Sequence, residues 1–202
     1  MIWRNLLGLA SVLAALAMAA PVAAADSPEV LGTFGDWTAF AEGQGASKLC
    51  YAASAPVKKE GKYSNRGDAA VLITNSLADK TFDVVSVVAG YDYQPGQDVL
   101  AQVDERKFNM FSKGDRAWNS DTATDKAMVA EMKKAGKLTV VGTSNKGTRT
   151  TDTYSLSGFA KAYEAIVKAC PEGAKAAKTE TKPKKTETKG EMKPAGGPDK
   201  KK

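Results

Sequence analysis

From Thr33 to Ser157 the apolar residues come in short runs separated by Gly, Pro, Asn and Asp, the pattern of strands joined by turns. Thr33–Phe40 predicts a strand that carries Trp37 and ends at Glu42-Gly-Gln-Gly45, and Lys48–Ala52 predicts a second. Ala70–Thr74 and Thr81–Ala89 carry the strongest strand signal, because their β-branched side chains suit a pleated, half-buried surface. In the latter, Phe82, Val84 and Val88 fall on one face and Val85 and Val87 on the other. With both faces apolar, this strand is expected to be central or covered on each side. Pro95-Gly96 marks a turn over Gly90–Gln97, and Val99, Ala101 and Val103 alternate in the strand that follows. Lys107–Phe111 and Arg116–Trp118 flank a turn at Lys113-Gly-Asp115.

The period then changes from two to 3.6. Thr124–Ala135 predicts a helix capped by Asp121 or Thr122, with Met128, Met132 and Ala135 as its buried stripe and Gly136 as its end. Leu138–Gly142 and Thr148–Leu156 read as a β-hairpin around Asn145-Lys-Gly147. Ser157 is placed to cap a last helix in which Phe159, Ala162, Tyr163, Ile166 and Cys170 share one face, with Pro171 just beyond it. The expected fold is a β-rich α+β domain: an antiparallel sheet or sandwich of short strands, a mid-chain helix and a C-terminal helix. Its core is predicted from Trp37, Phe82, Val84, Val88, Val140, Tyr154, Phe159, Tyr163 and Ile166.

Both ends break this pattern. Arg4 precedes an uninterrupted apolar run from Leu6 to Ala20, and Ala23 and Ala25 form an A-x-A site before Asp26. Residues 1–25 therefore read as a cleaved export signal, since the run is marginal for spanning a bilayer and no basic stop-transfer cluster follows it. From Ala174 onward the apolar residues all but vanish, and Lys178-Thr-Glu-Thr-Lys182 recurs as Lys185-Thr-Glu-Thr-Lys189. A segment of Lys, Pro, Glu and Thr buries too little surface to offset chain entropy, so 174–202 is expected to be disordered and 26–173 to be the single domain.

Charge follows the same division. The formal net charge of +6 arises in the tail, where ten lysines face four acidic side chains; residues 26–173 carry eighteen basic and nineteen acidic side chains and are close to neutral. A nucleic-acid-binding domain is thereby disfavoured. The tail's expected contact is a weak, salt-screened one with anionic envelope polymers or lipid headgroups. Cys50 and Cys170 are the two cysteines, and in an exported chain they read as one structural disulfide, two free thiols being the alternative. Closing so long a loop stabilises the fold by up to about 5 kcal/mol in the chain-entropy model. Cys170 on the apolar face of the last helix would pin that helix to the strand bearing Cys50.

Histidine is absent, which removes Ser-His-Asp and Cys-His catalysis and histidine-assisted zinc sites. What remains is lysine, serine and carboxylate chemistry, and each candidate has a structural reading. Asp104-Glu105 reads as a solvated strand edge, with the two side chains on opposite faces. Gly142–Gly147 has the glycine spacing of a phosphate loop without the Lys-Ser/Thr, and it leads into a strand. Ser155 and Ser157 with Lys161 as base would make a nucleophile, but Ser157 is already explained as a cap. No catalytic, cofactor or metal set is assigned. Tyr91 and Tyr93 in the Gly90–Gly96 turn, together with Trp118, are the candidate aromatics for contact with a carbohydrate or protein partner, against core or sheet-face packing as the commoner reading.

Phe34-Gly-Asp-Trp37, Lys48-Leu-Cys50-Tyr, Gly114-Asp-Arg-Ala-Trp118 and the stretch from Gly147 through Tyr154, Phe159 and Tyr163 to Cys170-Pro171 resemble the invasion-associated locus B family. The likeness runs from Leu31 to Pro171. It implies an exported bacterial protein with a small β-rich domain, and it supplies no catalytic residues to carry over. Many members place a cysteine soon after the opening tryptophan, whereas Thr38-Ala-Phe40-Ala holds none. The combined expectation is a non-enzymatic periplasmic, surface or secreted protein that binds an envelope or host component. The alternatives are an envelope hydrolase or transferase and a purely structural envelope protein.

Overall fold

A computed structural model describes residues 27–173. Eleven strands and two helices follow one another along the chain: β1 (Glu29–Phe34), β2 (Trp37–Glu42), β3 (Leu49–Ser54), β4 (Lys58–Glu60), β5 (Ala70–Ser76), β6 (Thr81–Val88), β7 (Val99–Val103), β8 (Arg106–Lys113), β9 (Arg116–Trp118), α1 (Thr122–Met132), β10 (Lys137–Thr143), β11 (Arg149–Ser155) and α2 (Phe159–Ala169). The export signal and the tail expected from the sequence lie outside the described residues. No helix among the described residues is long and apolar enough to cross a membrane.

The strands form one antiparallel sheet ordered β1-β2-β3-β5-β6-β9-β8-β7-β10-β11-β4. β8 joins its two halves: Arg106–Met110 pair with β7, whereas Phe111–Lys113 pair with β9. The sheet folds over on itself, so that β2 meets the end of β11, where Trp37 Nε1 donates to the Ser155 carbonyl at 2.9 Å. One apolar core fills the space between the halves and under the helices. β4, a Lys-Lys-Glu strand exposed throughout, pairs with β11 as an outer strand that the apolar pattern gave no reason to expect. Its charges protect an edge that would otherwise offer free backbone groups to another chain.

Turn chemistry revises two sequence expectations. Thr33–Phe40 is two strands: Phe34 pairs with Trp37, and Gly35-Asp36 between them is a two-residue hairpin turn with Gly35 at φ +56°. Asp104-Glu105 is likewise the turn between β7 and β8, since Val103 pairs with Arg106 and Asp104 has φ +46°. Asp104 Oδ2 accepts from the Gly136 amide at 3.3 Å, which ties this turn to the end of the α1 segment.

The central strand β6 is inverted relative to expectation. Val85 and Val87 are fully buried, opposite Ile73 and Val71 of β5, while Phe82, Val84 and Val88 lie on the outer side. The register shifts between Thr74 and Ser76, and Asp83, at φ +63°, takes an inward position where its amide donates to Asn75 Oδ1 at 2.9 Å. Two apolar faces gave no means of choosing between them. Trp37, Val140, Tyr154, Phe159 and Ile166 are core residues as expected, and Tyr163 packs against the core half-buried.

Asp121 caps α1, its Oδ1 accepting from the Thr124 amide at 2.8 Å. The helix ends at Met132, three residues before the expected Ala135, and Met128 and Met132 are buried. Its Asp125 reaches β6 where β9 has ended, accepting from the Val85 amide at 3.1 Å and from Asn119 Nδ2 at 2.8 Å. A helix carboxylate thus replaces a missing strand partner.

Gly158, not Ser157, is the N-cap of α2, in the left-handed region at φ +88° and without a side-chain cap. The reason is a close approach: a Cβ at Gly158 would overlap the Phe34 carbonyl, and the Asp36 amide donates to the Ser157 carbonyl at 3.1 Å. The β1–β2 turn therefore occupies the space a capping side chain would need. α2 lies across β1, β2 and β3, with Phe159 against Trp37 at 4.7 Å between ring centres. Cys170 at its end is bonded to Cys50 of β3, with Cα atoms 6.0 Å apart.

Candidate functional site

The segment between β4 and β5 carries Arg66 into the interior. Its guanidinium meets Asp152 of β11 through two contacts, Nη1 to Oδ1 at 2.8 Å and Nη2 to Oδ2 at 2.5 Å, and its Nε donates to the Ala89 carbonyl at 2.7 Å. The two side chains are 2% and 3% exposed. Burial alone would depress the basicity of Arg66, but the hydrogen bonds and charge of Asp152 outweigh it and hold the guanidinium firmly protonated. Tyr63 and Tyr91 lie against the same guanidinium, 5.3 and 5.1 Å from its carbon to their ring centres.

Glycines make this docking possible. A Cβ at Gly90 would overlap the Gly67 carbonyl, and the Gly67 amide donates to Gly90 at 2.9 Å, so the two loops touch backbone to backbone. A Cβ at Gly142 would lie 2.5 Å from the Tyr93 ring and 3.0 Å from the Tyr91 hydroxyl, so β10 leaves room for both tyrosines. Tyr91 shares a 2.6 Å hydrogen bond with Thr150 and meets Tyr93 edge-on at 5.3 Å. Burial raises the hydroxyl pKa of Tyr91, Tyr93 and Tyr154 above the usual tyrosine value, so all three stay neutral at physiological pH. The buried Tyr154 hydroxyl has no hydrogen-bond partner among the described residues.

Above this framework opens a cleft of about 190 Å³ whose lining includes Tyr63, Tyr91, Asn145, Lys146, Thr148 and Thr150. It offers aromatic faces, amide and hydroxyl groups, and a lysine. It is smaller than the several hundred Å³ usual for a site that engulfs a whole small-molecule ligand. Its dimensions fit one projecting group of a larger partner.

The aromatics singled out from the sequence are not brought to one place. Tyr91 lines the cleft, Tyr93 is 5% exposed and underlies it, and Trp118 lies on β9 beside Phe111, with ring centres 5.7 Å apart. Arg66, Asp152 and Tyr63 were missed. The legible signal was Asp152: Thr150, Asp152 and Tyr154 share the inward side of β11, and a carboxylate there demands a cation.

Ser157 and Lys161 line a separate, larger depression with Thr33, Phe34 and Lys133. Both side chains are exposed, and the Ser157 amide donates to Ser155 Oγ at 3.2 Å. Gly142 and Thr143 belong to β10, and Asn145–Gly147 form its turn into β11. Among the described residues, no three Asp, Glu or Cys side chains gather as metal ligands.

Residues 37–167 match the family described as Invasion associated locus B (IalB) protein. The chain belongs to this family. The matched span holds the disulfide's Cys50 but ends before its Cys170, and it includes Arg66, Tyr91 and Asp152 of the cleft framework. No curated protein and no solved structure gave a significant match.

Proposed function

We propose that this IalB-family chain is an exported, non-enzymatic binding protein of the cell envelope, and that the cleft over Arg66 receives a projecting sugar or side chain of an envelope or host polymer. The observation that carries this reading is the buried Arg66–Asp152 pair with Tyr63 and Tyr91 stacked on the guanidinium. It fixes the aromatic surface in advance, so binding requires little further ordering of the Tyr91 side. Tyr63, 38% exposed, supplies the accessible ring face. The lysine-rich sequence from Ala174 onward supports an accessory, salt-sensitive contact with anionic envelope polymers or headgroups.

The test is an NMR titration of the chain with purified peptidoglycan oligosaccharides and, separately, acidic envelope polysaccharide. Shifts should cluster at Tyr63, Tyr91, Asn145 and Lys146, and Tyr63→Ala should weaken binding about tenfold, the order of one stacking contact. Shifts centred elsewhere would move the site. Cleaved oligosaccharide recovered from the mixture would replace the binding reading with a hydrolytic one.

A further inference from the structure

The outer face of the first half-sheet carries side chains that solvent does not account for. Strand register places Phe40 of β2 beside Tyr51 of β3, Leu72 of β5 and Val84 of β6 near the middle, and Trp118 of β9 beside Phe111 of β8, all on one side. This is the side opposite Cys50, Ala52, Val85 and Val87, which face the core. The C-terminal helix packs on that core side, through Cys170 on Cys50 and Phe159 on Trp37, and on the outer side Phe40, Tyr51, Leu72, Val84 and Trp118 are part-exposed. Val30, on the same side opposite Phe40, is 58% exposed, and Phe111 is 51% exposed.

The face is also polarised. The Phe40–Tyr51 pair, stacked at 5.0 Å, ends at Glu42, whose carboxylate accepts from the Tyr51 hydroxyl at 3.2 Å. At the diagonally opposite corner, Phe111 and Trp118 are followed in register by the facing pair Lys113 and Arg116. An aromatic pair with an anion at one corner and an aromatic pair with two cations at the other, with Leu72 and Val84 beside the small polar Thr74 and Ser86 between, form a self-complementary surface. A two-fold axis lying in the face lays each copy's acidic corner on the other's basic corner, and each salt bridge then occurs twice. Apolar sheet faces packed in this way give the ordinary two-layer arrangement of sheets.

We propose that this face pairs two copies of the chain. The experiment is sedimentation equilibrium of the chain from Asp26 to Lys202 over a dilution series, with thermal melts confirming that each variant is folded. The wild-type chain should dimerise reversibly, and Phe111→Lys, at a half-exposed position, should weaken dimerisation about tenfold or more. Glu42→Lys and Arg116→Glu should each weaken it, and the combined E42K/R116E chain should regain most of the wild-type affinity. A wild-type chain that stays monomeric throughout, a dimer that Phe111→Lys leaves unchanged, or a double reversal as weak as the single ones would overturn the proposal. Truncation after Gly173 supplies a further arm. Association unchanged by the truncation supports the proposal, whereas association that appears only after it would show that the 174–202 segment, not a second copy, covers the face.

Discussion

The Arg66–Asp152 pair is the feature whose removal should be felt most. Both side chains are almost wholly buried, so Arg66→Met leaves a carboxylate with neither water nor a cation. Breaking a buried pair by deleting one partner costs about 3–5 kcal/mol. The Ala89 carbonyl also loses the Nε donor, and the Tyr63 and Tyr91 rings lose their cation, so the upper end of that range is expected. Against a total stability of about 5–15 kcal/mol for a domain of this kind, the urea midpoint should fall sharply. The isolated charge causes most of that loss, so replacing both partners with Arg66→Met and Asp152→Leu should recover a large part of it. A double-mutant cycle from urea denaturation should therefore give a coupling of at least about 2 kcal/mol. Raising the salt concentration should change it little, because a pair out of contact with solvent is poorly screened. A cost below about 1 kcal/mol for Arg66→Met, or single effects that simply add, would refute this account.

Reduction of the Cys50–Cys170 bond, or Cys50→Ala, should lower stability by about 2–5 kcal/mol, since the bond closes a loop with a sequence separation of 120; denaturation with and without reductant measures it. Gly158→Ala should destabilise by more than about 2 kcal/mol and disturb the start of α2, because the added Cβ meets the Phe34 carbonyl at a left-handed position. Burial raises the carboxyl pKa of Asp125, although Asn119 and the Val85 amide pull it back. A carboxyl raised in the folded state destabilises the fold as pH climbs from the unfolded value of about 4 through the folded one. Asp125→Asn, which keeps the acceptor oxygen, should therefore match or exceed wild-type stability at pH 7 and lose that advantage below pH ~4. Asp125→Ala should cost about 1–3 kcal/mol at pH 7 by orphaning the Val85 amide, and equilibrium melts across pH distinguish the three chains.

Where the sequence alternates cleanly, the fold was legible. Val99, Ala101 and Val103 face inward as their spacing requires, and the Phe159–Ala162–Ile166 stripe seats α2 on the core. Legibility failed where two structures share one pattern. β6 is apolar on both sides, so its pattern alone does not tell that Val85 and Val87 turn inward, opposite Ile73 and Val71. Phe34-Gly-Asp-Trp37 is continuous as a run but closes as a two-residue turn. The cleft was half legible: Tyr91 stands in a visible turn, whereas Arg66 and Asp152 are 86 residues apart and meet only because β11 and the β4–β5 connection converge. Nothing local to Arg66 signals burial, but the inward place of Asp152 on its strand does.

The clasp between Cys50 and Cys170 also governs how the domain would bear load. A pull applied beyond residue 173 enters the fold at Cys170 and crosses through sulfur into β3, so the covalent path bypasses everything from residue 51 to 169. Tension between the two ends of the described chain can then pay out little more than residues 27–49, the length that holds β1 and β2. Those two strands lie at one margin of the sheet and can peel without opening the remainder. With the thiols reduced, the same pull would unravel α2 and then β11, dismantling the floor of the Tyr91 cleft. The redox state of a single bond thus decides whether a domain under tension yields at its margin or loses the Tyr91 cleft.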